Sequence, residues 1–190
     1  LQALTNGNNY TITANVSDVA GNAATEVTSS SFSVDTTAPS ISAITTSAFS
    51  WGSVLNATED NSDGTVTVTT TGVEDGQTLT ISLNGTNYPG TINSNSATVT
   101  IAANGLQALT NGNNYTITAN VSDAAGNAAT EVTSSSFSVD TTAPSISAIT
   151  TSAFSWGSVL NATEDNSDGT VTVTTTGVED GQTLTIGLNG

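Results

Sequence analysis

The chain has 190 residues, sixteen of them Asp or Glu, no Lys, Arg, His, Cys or Met, and a formal charge of −16. It can therefore build no Ser-His-Asp triad, thiol nucleophile, Schiff base, or imidazole or thiolate metal site, and carboxylates are its only charged acids, bases and ligands. Without Lys or Arg it can neither neutralise nucleic-acid phosphates nor dock on anionic lipid, and without Cys it forms no disulfide. Val, Ile and Thr abound in short alternating runs, which is the pattern of strands rather than of a solvated tail. There is no basic and apolar leader and no apolar run of about 18 residues, so the chain reads as the interior of something longer.

Residues 1–85 recur as 106–190 at an offset of 105, and only Val19/Ala124 and Ser82/Gly187 differ. Such a period is too long for a solenoid turn and matches one small β-sandwich, so each period should bury its own core and touch only its neighbours. The seam falls at Val34-Asp35-Thr36-Thr37-Ala38-Pro39 and again at Val139-Asp140-Thr141-Thr142-Ala143-Pro144, because Pro ends a strand and keeps its predecessor extended. On this phase residues 1–35 are the C-terminal part of a preceding repeat, 36–140 one complete repeat and 141–190 the N-terminal part of the following one. The linkers are a few residues long and stiffened by Pro.

In chain order, residues 40–46, 65–71, 78–83, a stretch near 88–92, 97–102, 115–122 and 131–139 read as strands. Seven short strands predict an all-β fold, a tandem immunoglobulin-like β-sandwich of Greek-key type arranged as an end-to-end rod. Alternation points Val66, Val68, Leu79, Ile81, Leu83, Val99, Ile101, Tyr115, Ile117, Ala119 and Val121 inward, with Thr and Ser outward. Helical periodicity is absent. The pairs Asp63-Gly64, Asp75-Gly76, Asn84-Gly85 and Asn104-Gly105 supply left-handed conformations for tight turns. Leu106, Leu109 and Tyr115 around Asn111-Gly112 resemble the corner at which a Tyr opens a late strand of such sandwiches.

Each period carries eight acids, and all but Glu131 sit in turns or at the seam: Glu59, Asp60, Asp63, Glu74, Asp75, Asp123 and Asp140. Seven-strand immunoglobulin connectivity brings Asp35, Glu74, Asp75 and Asp123 together at one junction, with Asn127 adding an oxygen. It sends the loop from Glu59 to Asp63 to the opposite end, towards Asp140 and the next junction. Two like charges about 4 Å apart repel by roughly 4 kcal/mol at an effective dielectric near 20, and no cationic side chain offsets this. A cation from solution is then needed, and an all-oxygen donor set of carboxylates, amides and carbonyls suits Ca²⁺ rather than Zn²⁺ or Cu²⁺, at about three ions per period. The offset of 105 extends the candidate set to Asp18, Asn22, Glu164, Asp165, Asp168, Glu179 and Asp180. The spacing from Asp60 to Gly64 is not that of an EF-hand loop.

The motifs Asp-Thr-Thr-Ala-Pro at the seam, Leu55-Asn56-Ala57-Thr58-Glu59, Gly72-Val73-Glu74-Asp75-Gly76-Gln77, Leu106-Gln107-Ala108-Leu109 and Val121-Ser122-Asp123-Ala124-Ala125-Gly126-Asn127 resemble bacterial immunoglobulin-like repeats. They are most similar to the tandem extender repeats of giant RTX (repeats-in-toxin) adhesins, those of a marine ice-binding adhesin included. The resemblance covers the whole chain. It implies a calcium-rigidified, non-enzymatic spacer on a bacterial cell surface, secreted by a type I system and holding a ligand-binding region away from the cell. It carries calcium onto Asp35, Glu74, Asp75, Asp123, Asn127 and Asp140, and also onto Asn56, Glu59, Asp60 and Asp63.

The alternative within the same adhesin is a ligand-binding module, with Thr65, Thr67 and Thr69 as an ice-contacting array or an exposed Trp51 and Tyr88 as a glycan platform. Catalysis by Glu74 and Asp75 is disfavoured, since adjacent residues on one turn do not flank a cleft as glycoside hydrolysis requires. The Asn-x-Ser/Thr triplets at Asn15 and Asn56 are expected by chance in so Asn- and Thr-rich a chain. Partners are the neighbouring repeats, with end-to-end complementation between half-repeats of separate chains a further expectation.

Overall fold

The computed structural model describes residues 3–188. The first segment holds two small antiparallel ladders, β1 (Asn9–Tyr10) with β4 (Phe32–Ser33) and β2 (Thr13–Ala14) with β3 (Val27–Thr28). The central region follows with β5 (Ser40–Ile41), β6 (Val54–Asn56), β7 (Gly64–Thr71), β8 (Thr78–Leu83), β9 (Thr86–Thr91) and β10 (Ser96–Ile101). A one-turn helix α1 (Ala103–Gln107) leads to β11 (Asn114–Tyr115), β12 (Ile117–Asn120), β13 (Val132–Thr133) and β14 (Phe137–Asp140). In the last segment β15 (Ser145–Ile146) pairs with β16 (Thr175–Thr176).

The central strands form two facing layers. One is β10-β7-β5; the other is β13-β12-β8-β9, continued by β11-β14-β6. Alternation sets the inner faces: along β7, Val66 and Val68 are buried while Thr67 and Thr69 are exposed. The register places Val66 opposite Val99 and Val68 opposite Ala97, with Thr67 opposite Thr98 on the outside. Across the sandwich Leu79, Ile81, Leu83, Ile117 and Ala119 are fully covered. One cluster therefore runs from Ile41 to Val139, and every residue expected to point inward lies in it or packs against it, Tyr115 from its margin. This is the immunoglobulin-like sandwich that the alternation predicts.

Several local features differ from the sequence reading. The first strand is short: after Ile41 the chain makes a 3-10 turn at Thr46–Ala48, then crosses to the other layer as β6, parallel to β14. Asp63-Gly64 and Asn104-Gly105 are not left-handed turns, because Gly64 opens β7 and Gly105 lies in α1. Both glycines answer close approach instead. A Cβ on Gly64 would lie 2.6 Å from the Trp51 ring, and one on Gly105 would strike the Tyr88 hydroxyl. Asn84 (φ 49°) and Gly85 (φ 79°) do form the left-handed pair of a two-residue hairpin.

The expected strand at 131–139 is broken because Ser134 intrudes: its Oγ accepts the Ile117 N–H at 2.9 Å and donates to the Ser135 carbonyl at 2.8 Å. Trp51 is buried rather than exposed, stacked on Phe49 at 5.2 Å and edge-on to Phe137 at 5.3 Å, which removes it as a glycan platform. The Tyr corner is present, with the Tyr115 hydroxyl accepting the Thr110 N–H at 2.9 Å. That donated bond holds the phenol below its usual pKa.

Candidate metal centre

The first junction gathers three of the predicted acids from three loops. Asp35 ends the first segment, Glu74 lies in the turn between β7 and β8, and Asp123 follows β12. The Glu74 carboxylate accepts the Ala124 N–H at 2.8 Å, and the Asn127 amide donates to the Asp35 carbonyl at 3.3 Å. The linker and two loops of the central region are thereby joined. Asp35, Thr37, Ala38, Gly72, Val73 and Glu74 line one open cleft there.

Asp123 organises its own turn. Its carboxylate accepts the Asn127 backbone N–H at 2.8 Å and the Asn127 side-chain amide at 2.9 Å, while the Asp123 N–H donates to the Asn127 carbonyl at 3.1 Å. The residue is only 4% exposed. Donation from Asn127 outweighs the opposing effect of burial and holds the carboxyl below its ordinary pKa, so Asp123 is charged at neutral pH. Asp18 and Asn22 repeat this turn in the first segment, with both side-chain distances 2.8 Å and the same direction of shift, caused first by the Asn22 amide.

Asp75 takes another course: its carboxylate accepts the Ser94 N–H at 2.7 Å in the turn between β9 and β10. The loop after β6 is also self-contained. Asn56 accepts the N–H groups of Thr58 and Glu59 at 2.9 and 3.1 Å, and Glu59 accepts the Asn56 N–H at 3.0 Å. Asp63 accepts the Ala103 N–H at 3.0 Å at the start of α1, and the Gln107 amide reaches Asn61 at 3.0 Å. Asn161 and Glu164 repeat the Asn56–Glu59 bonds, and Glu164, Asp165 and Asp168 line one hollow beside Trp156.

At the second junction the parallel pairing of β14 with β6 sets Asp140 beside Asn56. These two share a cleft with Glu179 and Asp180. Within the loop from Glu59 to Asp63, the Asp63 end turns to α1, while Glu59 stays on Asn56, the neighbour of Asp140. Among the described residues no three carboxylates come close enough to form a metal group on their own. The donor chemistry nonetheless suits a hard cation: Asp35 and Glu74 each have one carboxylate oxygen with no donor among the described residues, and no basic side chain exists to serve them.

Sequence reading missed the amides that serve the seam. Asn111, read only as part of the Tyr corner, and its equivalent Asn6 each bond to the two Thr residues that follow the seam Asp. The signal was present in the 105-residue repeat of Asn-Gly, but distance along the chain hid its target.

Two stretches of the chain, 1–138 and 105–180, match the model of the bacterial Ig-like domain family, group 3. No curated protein matches. Among solved structures, the chain is 31% identical to part of a 1.5-MDa bacterial ice-binding adhesin studied for host cell surface retention, over 71% of this chain and 43% of that one, at a TM-score of 0.43. It is 31% identical to a Ca²⁺-stabilised adhesin with which an Antarctic bacterium binds ice, over 89% of this chain and 40% of that one, at a TM-score of 0.43. It is 30% identical to a bacterial immunoglobulin-like domain of the M. primoryensis ice-binding adhesin, over 54% of this chain and 95% of that one, at a TM-score of 0.38. The chain thus spans about 40% of the length of the first two, at 43% and 40%.

Proposed function

This chain belongs to the bacterial Ig-like domain family, group 3, and on that premise we propose that it is part of a calcium-rigidified spacer in a bacterial cell-surface adhesin. Its units on this reading are 36–140 as one repeat, with 1–35 and 141–190 parts of its neighbours. The observation that carries the proposal is the near-identity of the copies joined to acid-lined junctions in a chain without one basic residue. Repetition adds reach and nothing else. The role is structural and the setting extracellular, reached by type I secretion.

When bound, Ca²⁺ neutralises carboxylates and ties oxygens from separate loops to one point. Asp35, Glu74 and Asp123 would hold it at the first junction, with Asn127 in support; Asp140, Asn56, Glu179 and Asp180 would do so at the second. Asp18, Asn22, Glu59, Asp60, Asp63, Asp75, Glu164, Asp165 and Asp168 complete the proposed donor set. The chain's own bonds already bring the loops near one another, Glu74 to Ala124 and Asn127 to Asp35, so the donors stand close before a cation draws them to one point. Metal binding then couples to stability as RT ln(1 + [L]/Kd).

Small-angle scattering tests this. The maximum dimension should increase and the melting temperature rise in millimolar calcium relative to chelator; identical profiles would defeat the calcium reading. Two chains are also proposed to complement each other end to end, because repeated residues that are buried centrally lie open in the flanks: Ile117 is 0% exposed and Ile12 64%, Leu79 0% and Leu184 46%. Light scattering that stays monomeric over a wide concentration range would count against that pairing.

A further inference from the structure

We infer that each junction carries a calcium-independent clasp, in which Asn111, from the loop between α1 and β11, grips the second linker and Asn6, just before β1, grips the first. The Asn111 carbonyl oxygen accepts the Thr141 N–H at 2.8 Å, and its amide donates to the Thr142 hydroxyl at 2.7 Å. The next residue fixes the base of the clasp, since the Gly112 N–H donates to the Val139 carbonyl at 2.8 Å. Asp140 completes it by accepting the Thr142 N–H at 3.0 Å. The arrangement recurs at the other linker: Thr36 N–H to Asn6 at 2.8 Å, Asn6 to the Thr37 hydroxyl at 2.7 Å, Gly7 N–H to Val34 at 2.7 Å, and Thr37 N–H to Asp35 at 2.9 Å.

The clasp shortens the pivot. Thr142 is fixed to the sandwich before it, and β15 of the following segment starts at Ser145, so only Ala143 and Pro144 lie between. Pro144 has a fixed φ and restricts Ala143 to extended geometry. Pro39 and Pro144 also lie against the turns of the following units, where a Cβ on Gly72 or Gly177 would be 3.7 Å from the proline Cα. The clasp thus confines bending to Ala143 and Pro144, and repulsion between Asp140, Glu179 and Asp180 across the cleft acts at that pivot until a cation neutralises it. Asn111 and Asn6 are neutral, so this restraint needs no metal and survives chelation.

The clasp also aims the acids. Fixing Thr37 and Thr142 directs one oxygen of Asp35 and of Asp140 to backbone N–H and leaves the other free at the cleft. Asn6 and Asn111 are thus positioning residues for the acids at both junctions. This part rests on the spacer reading; the restraint itself does not.

Amide hydrogen exchange on the full chain in chelator tests it. Thr141 and Thr142 should exchange more slowly than a solvated linker. Asn111→Ala should speed both about fivefold to tenfold, the factor expected for loss of one net hydrogen bond, with the amides of β8 and β12 unchanged. Thr142→Val removes only the hydroxyl acceptor and should speed Thr141 by a smaller factor, which preserves the test if Asn111→Ala unfolds. Unprotected Thr141 and Thr142 in the wild-type chain, or unchanged rates in both variants, would overturn the clasp. Protection that appears only after calcium is added would sink the clasp while supporting the metal reading. Protection in chelator with no calcium effect on scattering would do the reverse.

Discussion

Replacing Leu79 and Leu184 by Ala, one at a time, compares two copies of the same local sequence in different surroundings. Leu79 in β8 is fully buried, in register with Gly90 and among Val66, Ile81 and Val99 in the core. Leu184, its equivalent at an offset of 105, is 46% exposed. A buried Leu→Ala change loses transfer free energy and leaves a cavity, costing about 3 kcal/mol and up to roughly 5. In a domain of this size that lowers the melting temperature by roughly 4 to 8 °C per kcal/mol, so about 12 to 24 °C for Leu79→Ala. Leu184→Ala removes a side chain already half in water, with no complete core around it, and its cost should stay under about 1 kcal/mol. Differential scanning calorimetry of the three proteins, at a concentration low enough to keep them monomeric, measures both. Equal shifts would refute the reasoning, because they would place Leu184 in a core as complete as that around Leu79.

Ser134→Ala should cost about 1 to 3 kcal/mol, since it leaves the buried Ile117 N–H without its acceptor; Ser134→Thr, which keeps the hydroxyl, should recover part of it in urea unfolding. Acid titration of stability should show a loss tied to Asp123. Its folded pKa lies below the unfolded value near 3.9, so its contribution is complete above that value and fades as pH falls through the folded one. Asp123→Asn should flatten that part of the acid limb and leave the neutral-to-pH 5 plateau level; an unchanged acid limb would contradict the assignment.

The period-2 pattern made most of the sandwich legible, because a strand with one wet face must alternate. Val66, Leu79, Ile117 and the other inward residues sit where the alternation puts them, and the corner at Tyr115 follows from its offset to Thr110. What escaped were features fixed by contacts between distant parts of the chain. β6 has no pattern of its own, three residues long with only Leu55 buried, and exists because β14 offers it a parallel edge. Gly64 and Gly105 were misread because glycine serves tight turns and close approach alike, and only the positions of Trp51 and Tyr88 decide between them.

The acids divide in the same way. Connectivity alone brought Asp35, Glu74 and Asp123 to one junction, since it depends on which end of the sandwich each loop leaves. Asp75, next in sequence to Glu74, went to Ser94 because neighbouring side chains on a turn diverge. No rule of spacing could have shown that Asn111 reaches residues thirty positions away.

The outermost strand of the larger sheet, β9, carries Pro89 opposite Thr80. A proline has no N–H with which to recruit another strand. Near-identical modules crowded side by side are prone to zip together along their free margins, and here that margin is blunted by a single ring. Copies of this sequence packed in parallel therefore meet, along β9, an edge on which a neighbouring strand cannot complete its ladder at Pro89.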